Sequence, residues 1–215
     1  MLASQAQLAV LVDTFHRGTR VPYKKGEYII RPGEFPPGVF YIEKGLVKAY
    51  DITKYGEENL LIVRKEHEIF PLIWALTGKE RKVIYQALAP TIVWRLDREI
   101  FTDYVTDATN PLAPVLDMTM EMYRIHSERI FSLEYRTVRE RLISFLLIMA
   151  KRFGETTPEG ILINVPLKQQ DIASSINASR ETAGRELSML ERKGLISSRQ
   201  FLITLKDSKA LRAYL

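Results

Sequence analysis

The sequence contains no cysteine. That single absence excludes disulfides, thiolate zinc sites, cysteine-ligated iron–sulfur clusters and cysteine nucleophiles together. Histidine is scarce: His16, His67 and His126 are the only three among 215 residues. None sits in a haem-binding motif. A cupin-type metal enzyme needs a His-x-His pair with a carboxylate and a further histidine, and no such pair occurs. There is no Walker phosphate loop, no G-x-S-x-G nucleophile elbow and no Cys/His pair. No apolar run reaches the roughly 18 residues that span a bilayer. The opening "MLASQAQLAVLVDTFHRG" lacks a basic leading segment and reads as an amphipathic helix rather than a signal peptide, so a cytoplasmic protein is expected.

What is present fits a folded chain of one large or two modest domains: 46% of residues are apolar and 27% charged. The net charge of +5 and isoelectric point of about 9.3 favour polyanionic partners. From about Val21 to Phe101 the chain reads as β structure. "GVFYIEKGLVKAYDI" (38–52) carries β-branched and aromatic residues cut by Gly45, and short runs separated by Gly, Pro and charged turns predict a small antiparallel sandwich or barrel. "RPGEFPPG" (31–38) is a tight inter-strand loop.

From about Pro111 to Arg152 the pattern becomes helical. Leu112, Leu116, Tyr123 and Ile130 recur at helical spacing. "TVRE" (137–140) is a capping box, so one helix ends near Tyr135 and a second follows, with Val138, Leu142, Phe145, Leu146 and Met149 inward. The first helix is too long to bury within so small a β domain. Its stripe suits a coiled-coil-like dimer seam, with packing on its own barrel as the alternative. Then come a polar turn, "GETTPEG" (154–160), a short strand "ILINVP", a helical pair in "QQDIASSINASRETAGRELSMLERKGLI" and a hairpin strand in "SSRQFLITLKD".

In the helical pair, Ile172, Ala173 and Ile176 face inward. Asn177 tolerates the left-handed turn, Ser179 stands at the N-cap, and Ala183, Leu187 and Leu190 form the buried stripe of the second helix. Its other face carries Arg180, Glu181, Gly184, Arg185 and Ser188. Arg matches guanine O6 and N7, and a carboxylate accepts from cytosine N4. An ordinary surface ion pair between Glu181 and Arg185 would give the same pattern. Gly184 carries a helix-interior cost of roughly 1 kcal/mol relative to Ala, which the close approach of another surface would explain.

The stretch "LKQQDIASSINASRETAGRELSMLERKGLI" resembles the helix-turn-helix of the Crp/Fnr family of bacterial transcription regulators. "QQDIA", "SRET", Arg185 and "LERKGLI" all fall at family spacing. "KGEYIIRPGEFPPGVFYIEKGLVKAY" resembles the family's cyclic-nucleotide-binding-type β-roll, and residues 111–133 lie where the family has its dimerisation helix. The resemblance implies an α+β fold: an antiparallel β-roll with an N-terminal helix (1–108), a dimerisation helix (109–135) and a winged helix-turn-helix (136–215). It implies a homodimer on double-stranded DNA. Arg180, Glu181 and Arg185 would read bases in TGTGA-like half-sites, and Lys168, Ser179, Thr182 and Arg199 would touch phosphates. Gly184 stands where the oxygen-sensing branch has Ser. "GETTPEG" lies where family activators touch RNA polymerase, a further partner. Two departures stand out: Lys168 replaces the usual Ser or Thr cap, and the wing tip "SRQF" lacks its usual Gly.

The family's effector segment is altered. Arg81 stands at the phosphate-binding Arg, but Pro71 and Leu72 replace Gly and Glu, and Lys82 and Val83 replace Ser-Ala. The ribose partner and one amide are gone. The apolar run Ile69, Phe70, Leu72, Ile73 and Trp74 reads as core, with a hydrophobic effector site or a permanently filled pocket as the alternatives. Arg81, Lys82 and Ser127 are the candidate effector contacts. The expectation is no cofactor, no iron–sulfur cluster, no cAMP, no enzymatic activity and no membrane partner, with an unidentified effector or constitutive action. A regulator that answers to a cyclic nucleotide through an atypical pocket is the second reading. A cupin-like metal enzyme fused to a DNA-binding domain is the reading of another class.

Overall fold

A computed structural model describes residues 2–79 and 82–215. The chain forms two compact units, one of residues 1–51 and 61–123, the other of residues 52–60 and 124–215.

In chain order, the first unit starts with α1 (Gln5–His16). Its capping box closes with Ser4 Oγ accepting from the Gln7 amide at 3.3 Å and Gln7 Oε1 accepting from the Ser4 amide at 2.9 Å. The strands β1 (Thr19–Tyr23), β2 (Tyr28–Ile30), β3 (Val39–Lys44), β4 (Val47–Ile52), β5 (Glu58–Arg64) and β6 (Ile69–Phe70) follow, with the end of β4 and residues 58–60 of β5 counted in the second unit. Next come α2 (Leu72–Thr77), β7 (Ile84–Ala87), β8 (Thr91–Leu96) and α3 (Arg98–Thr106). The strands make two four-stranded antiparallel sheets, ordered β1-β8-β3-β6 and β2-β7-β4-β5. This is the expected β-roll. Gly45 does cut β3 from β4: it sits at φ +104°, and a Cβ there would lie 2.6 Å from the Pro90 carbonyl.

Alternation along β3 divides its side chains between two environments. Val39 and Tyr41 join Leu11 and Phe15 of α1, Phe101 and Tyr104 of α3 and Val115 in one buried cluster. Phe40 stacks on Phe70 at 5.2 Å between ring centroids, and Phe70 on Tyr85 at 4.7 Å.

The reading of 21–101 as β throughout needs correction, because α2 and the start of α3 interrupt it. Arg98 supports the first interruption: its Nε donates to the Trp74 and Ala75 carbonyls at 3.2 and 3.0 Å, beside the Gly78 amide that already donates to Trp74 at 2.9 Å. The reading of 69–74 as core holds for Ile69, Phe70 and Leu72, but Ile73 is 51% exposed, since a helix turns one residue of such a run outward.

α4 (Ala113–Tyr135) and α5 (Val138–Phe153) form the helical region, and the break falls where the capping box places it. Thr137 N donates to Glu140 Oε2 at 2.7 Å. Leu142, Leu146 and Met149 are buried as expected. Leu116, Met120, Tyr123 and Ile130 lie exposed along α4, with Leu112 just before it.

The second unit continues with β9 (Gly154–Thr157) and β10 (Gly160–Ile163), α6 (Gln169–Ser175), α7 (Arg180–Arg192), β11 (Ile196–Arg199), β12 (Leu202–Leu205) and α8 (Ser208–Arg212). Their sheet runs β11-β12-β10-β9. "GETTPEG" is therefore more than a turn: Gly154–Thr157 pairs with Gly160–Ile163, and only Pro158 and Glu159 connect them. No helix among the described residues is long and apolar enough to cross a membrane.

Candidate nucleic-acid interface

α6 is preceded at the N-cap by Lys168, whose side chain offers no acceptor to cap the helix. The chain satisfies this end from the other side: the Lys168 amide donates to Asp171 Oδ2 at 3.1 Å. Ile172, Ala173 and Ile176 are buried. Asn177 takes φ +49°, and the Ala178 amide returns to the Ala173 carbonyl at 3.0 Å, closing the turn.

Ser179 then caps α7, its Oγ accepting from the Thr182 amide at 3.1 Å. Ala183, Leu187 and Leu190 hold α7 against the interior. Arg139 of α5 donates from Nε to Glu186 Oε2 at 2.8 Å and ties the two helices together. Gly194, at φ +69°, ends the run, with the Leu195 amide donating to the Leu190 carbonyl at 3.1 Å.

The outer face at the start of α7 is open. Arg180, Glu181, Arg185 and Ser188 are exposed. Arg185 Nη2 donates to Thr182 Oγ1 at 3.1 Å, which orients the guanidinium along the helix. Glu181's own amide, then the Ser179 hydroxyl, then Arg180 and Arg185 hold its carboxyl below the usual range, so it is a pure acceptor at neutral pH. Gly184 is not explained by packing inside the chain. A Cβ there would meet the Gln169 side chain at 3.5 Å, an ordinary contact.

A groove runs between the start of α6, the outer side of α7 and the β11–β12 wing. Lys168, Arg180 and Arg199 line it together, as do Gln169, Ser188 and Phe201. The motif singled out the first three for DNA contact, but neither Gln169 nor Phe201. The signal for these two is spatial: the wing folds back onto α6, with the Leu167 amide donating to the Phe201 carbonyl at 2.9 Å. Ser179 and Thr182 are spent partly on the cap itself.

Of the candidate effector contacts, Arg81 lies outside the described residues. Lys82 is exposed and Ser127 is half-buried on α4. Pro71 occupies the position before α2 and has no amide to offer, and Leu72 beside it is buried. Two histidines are already engaged. His67 Nδ1 lies 2.6 Å from the Tyr41 hydroxyl, and His16 packs on Trp94 with centroids 4.5 Å apart. Among the described residues no group of three or more His, Asp or Glu stands close enough to hold a metal ion.

A two-sheet β-roll, a long helix and a winged helix-turn-helix with an open cationic face define a DNA-binding regulator built with a sensor-type domain. Comparison with known proteins agrees. The Crp-like helix-turn-helix domain model matches residues 140–214, and the cyclic nucleotide-binding domain model matches residues 20–107. The global nitrogen regulator of Synechococcus elongatus is 31% identical, the match covering 98% of each chain. The fumarate and nitrate reduction regulatory protein of Vibrio cholerae is 22% identical over 88% of this chain and 76% of its own. A solved structure of a CooA variant from Carboxydothermus hydrogenoformans superposes with a TM-score of 0.78 at 21% identity, covering 100% of this chain and 97% of that one. The chain belongs to the Crp/Fnr family and is a DNA-binding transcription regulator, not an enzyme.

Proposed function

We propose that two copies pair through α4 and bind a palindromic site with TGTGA-like half-sites, the two α7 helices entering successive major grooves about 34 Å apart. The observation that carries this reading is the open face of α7: Arg180, Glu181 and Arg185 are exposed at its N-terminal end while Ala183, Leu187 and Leu190 are buried behind them. Arg180 and Arg185 read guanine, Glu181 accepts from cytosine N4, and Lys168, Ser179, Thr182 and Arg199 hold phosphates. The working division is a β-roll over 1–108, a dimer helix over 109–135 and a DNA-binding domain over 136–215. The β9–β10 hairpin, with Glu155 and Glu159 exposed, is the surface offered to RNA polymerase, and the protein acts in the cytoplasm.

Arg185→Ala tests base readout. The variant loses most of its discrimination between a TGTGA palindrome and scrambled DNA, since each good pairing is worth roughly 1–3 kcal/mol. Undiminished discrimination would sink the assignment.

The β-roll answers to an effector other than a cyclic nucleotide, or the regulator is constitutive. The altered segment supports this: Pro71 and Leu72 cannot supply the amide and carboxylate of a nucleotide site, and the neighbouring Phe70 is stacked between Phe40 and Tyr85. Arg81, Lys82 and Ser127 are the residues assigned to an effector. Calorimetry with cAMP and cGMP gives no binding tighter than about 100 μM. A micromolar constant favours the second reading, a cyclic-nucleotide-responsive regulator, for which the match of residues 20–107 to the cyclic nucleotide-binding domain speaks.

A further inference from the structure

The wing ends in an unusual turn. β11 and β12 pair from Ile196↔Leu205 to Arg199↔Leu202, which leaves Gln200 and Phe201 as the whole connection. Both take positive φ, 50° and 68°. Asn-Gly or Gly-Gly suits such a two-residue turn, because a Cβ is disfavoured in the left-handed region. This chain instead places a large ring there. Burial does not account for it, since Phe201 is 64% exposed.

The backbone that carries the ring is anchored. The Phe201 carbonyl accepts from the Leu167 amide at 2.9 Å, which fastens the wing tip beside Lys168. Lys168, Arg180 and Arg199 line the same groove as Phe201. An exposed apolar ring among cations faces a surface that alternates charged and apolar groups, and the sugar-phosphate backbone of duplex DNA has that character.

We infer that Phe201 is a DNA contact: its ring packs on the deoxyribose next to the phosphate held by Arg199, and the strained Gln200–Phe201 turn is retained to present it. The inference rests on the DNA-binding reading of the groove. Such a contact is independent of base sequence and releases no counterion, so it adds affinity without changing salt dependence.

The test uses the full-length protein and three variants, Phe201→Gly, Phe201→Tyr and Arg199→Ala. Each is titrated onto a fluorescent TGTGA palindrome and a scrambled duplex at several salt concentrations, with thermal melts alongside. Phe201→Gly melts at or above the parent temperature, because the turn relaxes. It binds both duplexes about fivefold more weakly, or about 1 kcal/mol, with an unchanged slope of log affinity against log salt. Phe201→Tyr restores the affinity, and Arg199→Ala lowers the slope. Parental affinity in Phe201→Gly overturns the inference, as does a loss confined to the palindrome or a loss shared by Phe201→Tyr. Failure of the parent protein to bind either duplex would instead strike the reading of the groove itself.

Discussion

Arg136 Nη1 donates to Ser144 Oγ at 2.9 Å, across the break between α4 and α5. The same nitrogen donates to Ser132 Oγ at 2.7 Å and pairs with Glu128 of α4. Ser144 in turn donates to Glu128 Oε1 at 3.1 Å. The break is thus bridged by a closed polar network. Arg136→Ala leaves Glu128 and both hydroxyls short of their donor. Urea unfolding then shows a loss of about 1–2 kcal/mol, and a cycle with Ser144→Ala gives a coupling of ~0.5 kcal/mol or more. Strict additivity would show that the network does not act as a unit.

A second contact of α4 holds α6. Arg129 Nη1 donates to the Leu60 carbonyl at 2.9 Å and Nη2 to the Ser174 carbonyl at 3.3 Å, while the Leu60 amide donates to Ser174 Oγ at 3.1 Å. Removing the hydroxyl in Ser174→Ala leaves the Leu60 amide without its acceptor. Hydrogen exchange at Leu60 accelerates by about tenfold, a local opening cheaper by about 1.4 kcal/mol, with the melting temperature nearly unchanged. Unaltered exchange would show that the amide is protected by something other than this bond.

The β-roll and the reading head were legible to different degrees. Periodicity placed the buried stripes of α6 and α7, and the capping box at Thr137 placed the α4–α5 break, because each signal is local. The short helices α2 and α3 leave no clear mark, since the run from Ile69 to Trp74 is equally consistent with a strand, and one contact that supports a helix there comes from Arg98, 24 residues beyond Trp74, bonding its last carbonyls. The placement of Phe201 leaves no mark in the sequence for the same reason. Its exposure and its bond to Leu167 depend on the wing folding back, which no spacing in the sequence records.

Tyr41 makes the fold sensitive to alkali. Burial first, then the charges of Glu43 and Glu66, push its hydroxyl up from 10.0 to about 12. The folded state therefore keeps a proton that the unfolded chain releases first. The contribution is intact below pH 10 and is lost as pH rises towards 12. Tyr41→Phe lacks this titration, so its stability falls less steeply over that window in pH-jump denaturation, although it starts lower for want of the bond to His67. Parallel profiles for the two proteins would exclude Tyr41 as the source.

Glu140 works at the opposite end of the scale. The Thr137 hydroxyl, then the Thr137 amide, hold its carboxyl below the ordinary range. Its folded pKa is depressed, so its contribution is present above the usual carboxylate range near pH 4 and disappears as pH falls through the lower folded value. Glu140→Gln retains the cap geometry without the charge, and its stability profile is flatter as pH falls below the ordinary carboxylate range. An unchanged acid limb would assign the transition to other carboxylates, Asp117 among them, since the Ala3 and Leu2 amides lower it too.

The dimer seam proposed on α4 yields the last prediction. Leu116, Met120, Tyr123 and Ile130 are spaced by four, three and seven residues along one helix, and Tyr123 and Ile130 remain 68% and 63% exposed in the single chain. Apolar side chains repeating at that spacing on an uncovered helix suit the seam of the two-helix pair proposed above, which would bury surface at about 25 cal/mol per Å² only when a second copy is present. A charge in the middle, Met120→Glu, would place two carboxylates against each other in a desolvated interface while leaving the isolated chain's core untouched. Sedimentation at micromolar concentration therefore finds the parent as a dimer and Met120→Glu as a folded monomer with unchanged far-UV circular dichroism. That monomer loses affinity for a full palindrome much more than for a half-site, since only the dimer engages both halves at once. A variant that stays dimeric, or a parent that sediments as a monomer, would exclude α4 as the seam.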